Sequence, residues 1–186
     1  MHDLDPQMFL LLYFVLPVWL IAGFADWLCH RSTGIETTTG LKETWIHILM
    51  FFEMGVPLLS ALFLDVNALV IGFMMVLFFC HEATALWDVS YAVTARRVSP
   101  IEQHVHSFLE MVPLMALLLV ISRHWSQFLA LFGAGDEPAR FELKLRADPL
   151  PEGYIIAVMT GILLLEVLPY FEEYWRGKKA RQRQHH

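Results

Sequence analysis

Five long apolar stretches constrain the fold of this chain more than any other feature. They cover roughly residues 7–28, 44–64, 68–91, 101–121 and 154–170. About 20 apolar residues in a helix cross the hydrocarbon layer of a bilayer, which is about 30 Å thick. The composition agrees, because 56% of the residues are hydrophobic and only 17% are charged. The sequence therefore predicts an all-α, polytopic membrane protein with about five transmembrane helices, forming one domain over residues 1–186.

The distribution of lysine and arginine predicts the orientation. Nine of the 13 basic residues fall on the side that receives the loops after the first and third spans and the C-terminus. Cytoplasmic loops carry the excess of such residues, so we expect an outside N-terminus, a cytoplasmic C-terminus and an extracytoplasmic loop over residues 123–153. The expected location is an inner membrane of the bacterial type. Basic residues cluster only in the C-terminal tail, which favours contact with membrane lipid and argues against a nucleic-acid partner.

Ionisable residues recur at helical spacing in four of the five spans. Each of these spans carries at least one imidazole and one carboxylate on a single helical face. The nine residues are Asp26 and His30 in span 1, Glu43 and His47 in span 2, His81 and Asp88 in span 3, and Glu102, His106 and Glu110 in span 4. Ionisable groups inside a bilayer are costly and are usually retained for a site. Spans 1 and 3 end where spans 2 and 4 begin, so the four pairs are expected to meet at one depth near the cytoplasmic side.

A weak internal repeat supports this arrangement. Residues 43–58 resemble residues 102–114, since each segment has a Glu-x3-His motif followed by Glu-Met and a proline. A Cys-His pair precedes each segment, at Cys29-His30 and at Cys80-His81. The simplest interpretation is two related helical hairpins, made by spans 1–2 and spans 3–4, that face each other.

Three interpretations account for so many acids and imidazoles in one place. They could satisfy one another as a hydrogen-bonded polar core, or two imidazoles could bind a haem. A metal cluster explains both residue types together, because carboxylates neutralise divalent cations and neutral imidazoles complete the coordination. We therefore expect the nine residues to hold two divalent metal ions. Iron is favoured, with zinc or manganese as alternatives.

The ligand chemistry of spans 1–4 resembles that of the ferritin-like di-iron carboxylate proteins. These proteins bind two metal ions through Glu and Glu-x-x-His motifs inside a four-helix bundle. The motifs Glu43-x3-His47 and Glu102-x3-His106 are one residue longer, and this chain carries more histidines. The resemblance implies that four of the helices form a bundle around a two-metal site.

The predicted function is that of a membrane metalloenzyme, a non-haem di-iron oxidoreductase or oxygenase that acts on a lipid-like or quinol-like small molecule. A zinc-dependent membrane hydrolase would use the same residues, with a metal-bound hydroxide. A metal or proton transporter is the further alternative, with the acids and histidines lining a pathway. The pattern leaves open whether Glu53, His104 and Glu166 take part, and whether the chain forms a homo-oligomer.

Overall fold

The computed structural model describes residues 5–183, and helices make up most of this range. It has no β-strand within these residues. The helices are α1 (Pro6–Thr33), α2 (Leu41–Phe63), α3 (Ala68–Ala95), α4 (Pro100–Arg123), α5 (Trp125–Leu131) and α6 (Glu152–Arg183). All except α5 are long and apolar enough to cross a membrane. The prediction of an all-helical chain with five such helices is confirmed. The largest difference in length is in α6, which continues past residue 170 to Arg183.

The distribution of apolar side chains is the one expected of an integral membrane protein. Large apolar residues lie on the outer surface, where Leu86, Phe79 and Ile21 are 69%, 65% and 62% exposed. Several carboxylates and histidines are buried in the interior instead. A water-soluble protein rarely exposes so much contiguous apolar surface, whereas lipid solvates it without cost.

The helices pack in an order that brings the predicted polar faces together. Helices α2 and α3 form a hairpin, and the Asn67 side chain in its turn caps α3 by accepting from the backbone N–H groups of Leu69 at 3.1 Å and Val70 at 3.3 Å. Helix α1 packs on α4, α3 also contacts α4, and α6 packs against α1 and α2. Each of the five long helices therefore has at least one long helical neighbour.

The start of α4 is fixed by a capping box. The Ser99 hydroxyl accepts from the backbone N–H of Glu102 at 3.1 Å, and the Glu102 carboxylate accepts from the backbone N–H of Ser99 at 3.4 Å. Pro100 occupies the first helical turn, where its missing N–H costs nothing. The capping box holds the Glu102 carboxylate at the helix entrance, where it also reaches the polar cluster described below.

The two ends of the helices differ in character. At the end with the α2–α3 turn, the core is apolar and contains Val70, Ile71 and Met74 of α3 with Val120 and Ile121 of α4. The segment between α5 and α6 covers this turn through backbone hydrogen bonds, such as that from Asp65 to Lys144 at 2.8 Å. The buried ionisable residues lie at the opposite end of the helices.

Candidate metal centre

Seven of the nine predicted ligands lie together, and all seven are buried. Their side chains come from four helices, and none is more than 6% exposed. The seven are Asp26, His30, Glu43, His47, Asp88, Glu102 and His106. The local reason is helical spacing, because residues four apart lie on one face.

Helices α1 and α4 build one half of the cluster. His106 Nε2 lies 2.9 Å from Asp26 Oδ1, and His30 Nε2 lies 3.4 Å from Asp26 Oδ2. Glu102 joins this half, since its Oε1 is 3.7 Å from His30 Nε2. One ligand-rich half-site therefore spans α1 and α4.

Helices α2 and α3 build the other half with the same pattern of residues. His47 Nε2 lies 3.1 Å from Asp88 Oδ1, as His106 lies beside Asp26. Each half therefore contains one Glu-x3-His motif and one aspartate from the helix packed against it. The two Glu-x3-His motifs of the predicted repeat thus occupy corresponding places in the two halves, whereas Asp26 and Asp88 do not occupy equivalent positions of the repeat.

Arg96 joins the two halves. This residue follows α3, outside the membrane-spanning helices, and its Nη2 donates to Glu43 Oε1 and to Glu102 Oε1, each at 2.5 Å. Burial alone would lower the pKa of the guanidinium, but the hydrogen bonds that it donates to Glu102 and Glu43 outweigh burial and raise that pKa. From the sequence, Arg96 counts among the basic residues of the cytoplasmic side and is a possible partner of Glu166, and its position between Glu43 and Glu102 is not predicted.

Glu173 is a cluster residue that the sequence prediction missed. It lies on α6 and is 1% exposed, and its two oxygens approach His30 Nδ1 at 3.3 Å and His47 Nδ1 at 3.5 Å. An ionised carboxylate only accepts hydrogen bonds, so it selects the tautomer with the proton on Nδ1 in both rings. The two Nε2 atoms then present lone pairs to the remaining carboxylates.

Several buried atoms of the cluster make close approaches that are not hydrogen bonds. Asp26 Oδ1, His30 Nε2, His47 Nε2 and Asp88 Oδ1 have no hydrogen-bond partner among the described residues. Buried polar atoms are nearly always paired, so four unpaired atoms in one cluster need an explanation. In two sets of three residues, the possible metal-ligand atoms of the three side chains all lie within 4.8 Å of one another. The sets are Asp26, His30 and His106, and His30, Glu43 and His47.

No protein-family model, curated protein or solved structure matches this chain. The chemistry of the cluster must therefore be argued from its own geometry.

The remaining two predicted ligands lie outside the cluster. His81 Nδ1 is 4.0 Å from Glu53 Oε2, and its Nε2 is 3.4 Å from the Leu109 carbonyl oxygen. His81 and Asp88 share a stripe of α3, but seven residues separate them by about 10 Å along the axis. Glu110 is half-buried, and within residues 5–183 it forms no ion pair or hydrogen bond with the seven clustered residues.

Two other ionisable residues of these helices also lie apart from the cluster. Glu53 accepts a hydrogen bond from the Thr84 hydroxyl at 2.9 Å. His104 is exposed, and its ring lies against Phe108 with 5.4 Å between the ring centroids. Neither contact joins these residues to the cluster.

A cavity of about 380 Å³ lies beside the cluster. Asp26, His47, Asp88 and His106 reach its wall, and most of the remaining wall is apolar. His81 and Glu110 also line this cavity, so the structure places them near the cluster's open side rather than within it. An apolar molecule could therefore reach the cluster without crossing a charged surface.

Proposed function

We propose that the protein is a membrane-embedded metalloenzyme that binds two divalent metal ions in the buried cluster. One observation carries the proposal: nitrogen and oxygen atoms approach one another closely, yet lack hydrogen bonds. Protein ligands bind such ions at about 2.1 Å. Two ligands at that distance from one ion are about 3.0 Å apart at a right angle and about 3.4 Å apart at the tetrahedral angle. The distances of 2.9, 3.1 and 3.4 Å in the two half-sites fit these values.

The charge of the cluster supports two ions. Five buried carboxylates, from Asp26, Glu43, Asp88, Glu102 and Glu173, face one guanidinium, from Arg96. With neutral histidines the sum is five negative charges against one positive charge, a net of −4, which two divalent cations balance. Buried charge without compensation is among the most costly features that a protein can hold.

The stacking of His30 on His47 argues against protonation of both of these rings. The ring centroids are 4.4 Å apart and the planes are within 7° of parallel. Two imidazolium charges at that separation would repel by about 4 kcal/mol at an effective dielectric constant of about 20. Neutral imidazoles, the form that binds metals, avoid this repulsion. The same stacking does not suit a haem between these two rings, whose nitrogens would have to face each other across the iron.

Each half-site would hold one ion. His106, Asp26 and His30 would bind the first ion, and His47 and Glu43, which share a set with His30, would bind the second. Glu102 and Asp88 would lie beside these sets as further oxygen donors. Glu173 would fix the orientation of both stacked rings, as carboxylates do for metal-bound histidines. Iron is the preferred metal because an oxygen-rich set with imidazoles suits it, and zinc or manganese would accept the same donors.

The proposed reaction is oxidation of an apolar, quinol-like molecule with dioxygen as the electron acceptor. Two quinols would each lose two electrons and two protons, and one dioxygen would take up all four of each to give two waters. The metal ions would supply the electron-transfer chemistry when bound. Carboxylates that line the cavity outside the metal site, such as that of Glu110, would accept the protons that the quinol loses.

An enzyme is favoured over a transporter by the position of the cluster. A transport pathway needs polar groups that continue across the membrane. Within residues 5–183 the buried acids and histidines lie at one end of the helices, while the core at the other end is apolar. A membrane location with the cluster near the cytoplasmic face belongs to the same proposal.

Elemental analysis tests the proposal directly. The protein should be purified without a histidine tag, and we expect about two metal ions per chain and no Soret absorption band. His47→Ala and His106→Ala should each lower the metal content by about one ion. His104→Ala is the matched control, because His104 lies on the same helix as His106 but is exposed. Less than one ion per chain in a folded wild-type protein, or equal metal content in all three variants, would refute a two-metal centre.

A further inference from the structure

Glu166 is a buried carboxyl group for which the proposed metal site has no use. It lies on α6 and is 8% exposed, and it lines the cavity next to Asp26. Neither of its oxygens has a hydrogen-bond partner among the described residues. The backbone around it is a π-helical segment, Leu163–Val167, a distortion that often marks a functional site.

A glycine makes room for this carboxyl group. Gly23 of α1 lies directly against Glu166, and a methyl group at this position would overlap the carboxylate oxygens. The close approach of α1 and α6 therefore depends on the absence of a side chain at residue 23. Tyr170, one turn after Glu166, lines the same cavity, and its hydroxyl also has no partner among residues 5–183. The Glu166 carboxyl group and the Tyr170 hydroxyl thus line the same mostly apolar cavity without hydrogen-bond partners among residues 5–183.

The cavity adjoins a second apolar cavity. The second has a volume of about 250 Å³ and extends towards Asp65 and His124, at the far end of the helices. Trp19, Met54 and Leu58 line both cavities, so the two spaces share a wall. A single ring-sized molecule such as benzene fills a cavity of about 150 Å³. The two spaces therefore have room for a ring and for an attached chain.

From this arrangement we infer that the paired cavities bind a long-tailed molecule with a hydroxyl-bearing ring, of the quinol class. The ring lies between Glu166 and the polar cluster, and Glu166 accepts a hydrogen bond from the ring hydroxyl. The tail extends past Trp19, Met54 and Leu58 into the second cavity. This inference rests on the proposed function for its chemistry, but binding itself requires no metal ion.

The charges around the cavity select this head group. The cavity wall contains the carboxyl groups of Asp26, Asp88 and Glu166 and, among the described residues, no lysine or arginine, so an anionic head group such as that of a fatty acid would find no cationic partner. A neutral hydroxyl donor meets acceptors that lack partners and satisfies them. Polar groups placed to hydrogen-bond a ligand discriminate strongly against ligands that lack the matching group.

Binding can be measured by calorimetry in detergent without oxygen, on the full chain both as purified and after removal of metal by a chelator. The probes are a ubiquinol analogue with a ten-carbon tail and its tail-less counterpart. Glu166→Leu should weaken binding of both probes by about tenfold, the effect of losing one hydrogen bond at a buried site. Glu152→Leu is the control, because Glu152 is exposed on the same helix and does not line the cavity.

A second pair of variants tests the position of the tail. Ala116 lines only the second cavity, and Ala116→Trp should weaken binding of the tailed probe by about tenfold without affecting the tail-less probe. Ala83→Trp, at an exposed position of α3, should affect neither probe.

Two further results would overturn the inference. One is equal affinity of wild type and Glu166→Leu for both probes, and the other is stronger binding of dodecanoate than of the quinol analogues. Loss of metal content without loss of quinol binding would refute only the metal site, so the two proposals can fail separately.

Discussion

Replacement of Glu173 by glutamine separates a metal centre from a hydrogen-bonded polar core. In the wild type one carboxylate accepts from His30 Nδ1 and from His47 Nδ1, at 3.3 and 3.5 Å. Glutamine has a single acceptor oxygen, so one of the two imidazoles loses its partner and its fixed tautomer. Loss of such an orienting carboxylate usually lowers metal affinity by about 10- to 100-fold.

The effect on stability follows from that affinity. A ligand that binds only the folded state stabilises it in proportion to the logarithm of its affinity, so a tenfold loss removes about 1.4 kcal/mol per ion near saturation. We therefore expect Glu173→Gln to lower the free energy of unfolding by about 1.4–2.7 kcal/mol more in the metal-loaded protein than in the metal-depleted protein. The measurements are metal affinity by competition with a chelator, and thermal unfolding with and without metal.

The neighbouring residue provides a matched control. Glu172 contacts Arg31 at 2.8 Å and Trp27 Nε1 at 3.1 Å, and its side chain is 35% exposed. Glu172→Gln should change stability by less than about 1 kcal/mol, as expected for a surface pair, and should leave metal affinity unchanged. If Glu173→Gln kept wild-type metal affinity and lost the same stability with and without metal, the cluster would be a structural polar core.

Three further predictions concern other parts of the molecule. Arg96→Gln removes the guanidinium that joins Glu43 and Glu102, so it should destabilise the metal-depleted protein by about 3–5 kcal/mol in chemical unfolding. Added divalent metal should recover most of that loss, and an equal loss with metal would contradict the charge balance. Ser99→Ala removes the cap of α4 and should lower the free energy of unfolding by about 1 kcal/mol in the same assay. An unchanged free energy of unfolding would show that the capping box does not stabilise α4. In a cysteine-free background, Lys179→Cys and Asp136→Cys should react with a membrane-impermeant maleimide from opposite faces of sealed vesicles, and labelling from one face would refute the predicted orientation.

The helical fold could be predicted well because each long apolar stretch has one stable solution in a membrane. The ends of the helices were less predictable, since polar residues continue a helix beyond the hydrocarbon without an apolar signal. Helix α6 is the main example: its predicted span ended at Tyr170, so Glu173 was interpreted as part of the region beyond the membrane. The spacing of Glu166, Tyr170 and Glu173 on one face of a helix was the available signal.

The candidate site was partly predictable for a similar reason. Periodicity identifies the face of a helix but not which partner each residue meets, so His81 and Glu110 were grouped with residues that they do not contact. Asp26, His30 and His106 come together because α1 packs against α4, and periodicity does not show which helices pack against each other. Arg96 gave no periodic signal at all, because it lies in the connection after α3.

The position of Glu173 on the last helix has a consequence for biogenesis. A ribosome delivers α6 to the membrane only after α1–α4 have been made, so the two histidine rings lack their shared carboxylate until α6 itself has been synthesised. A nascent chain that stops before residue 152 would hold His30 and His47 without this partner. Assembly of the cluster therefore has to wait for insertion of α6.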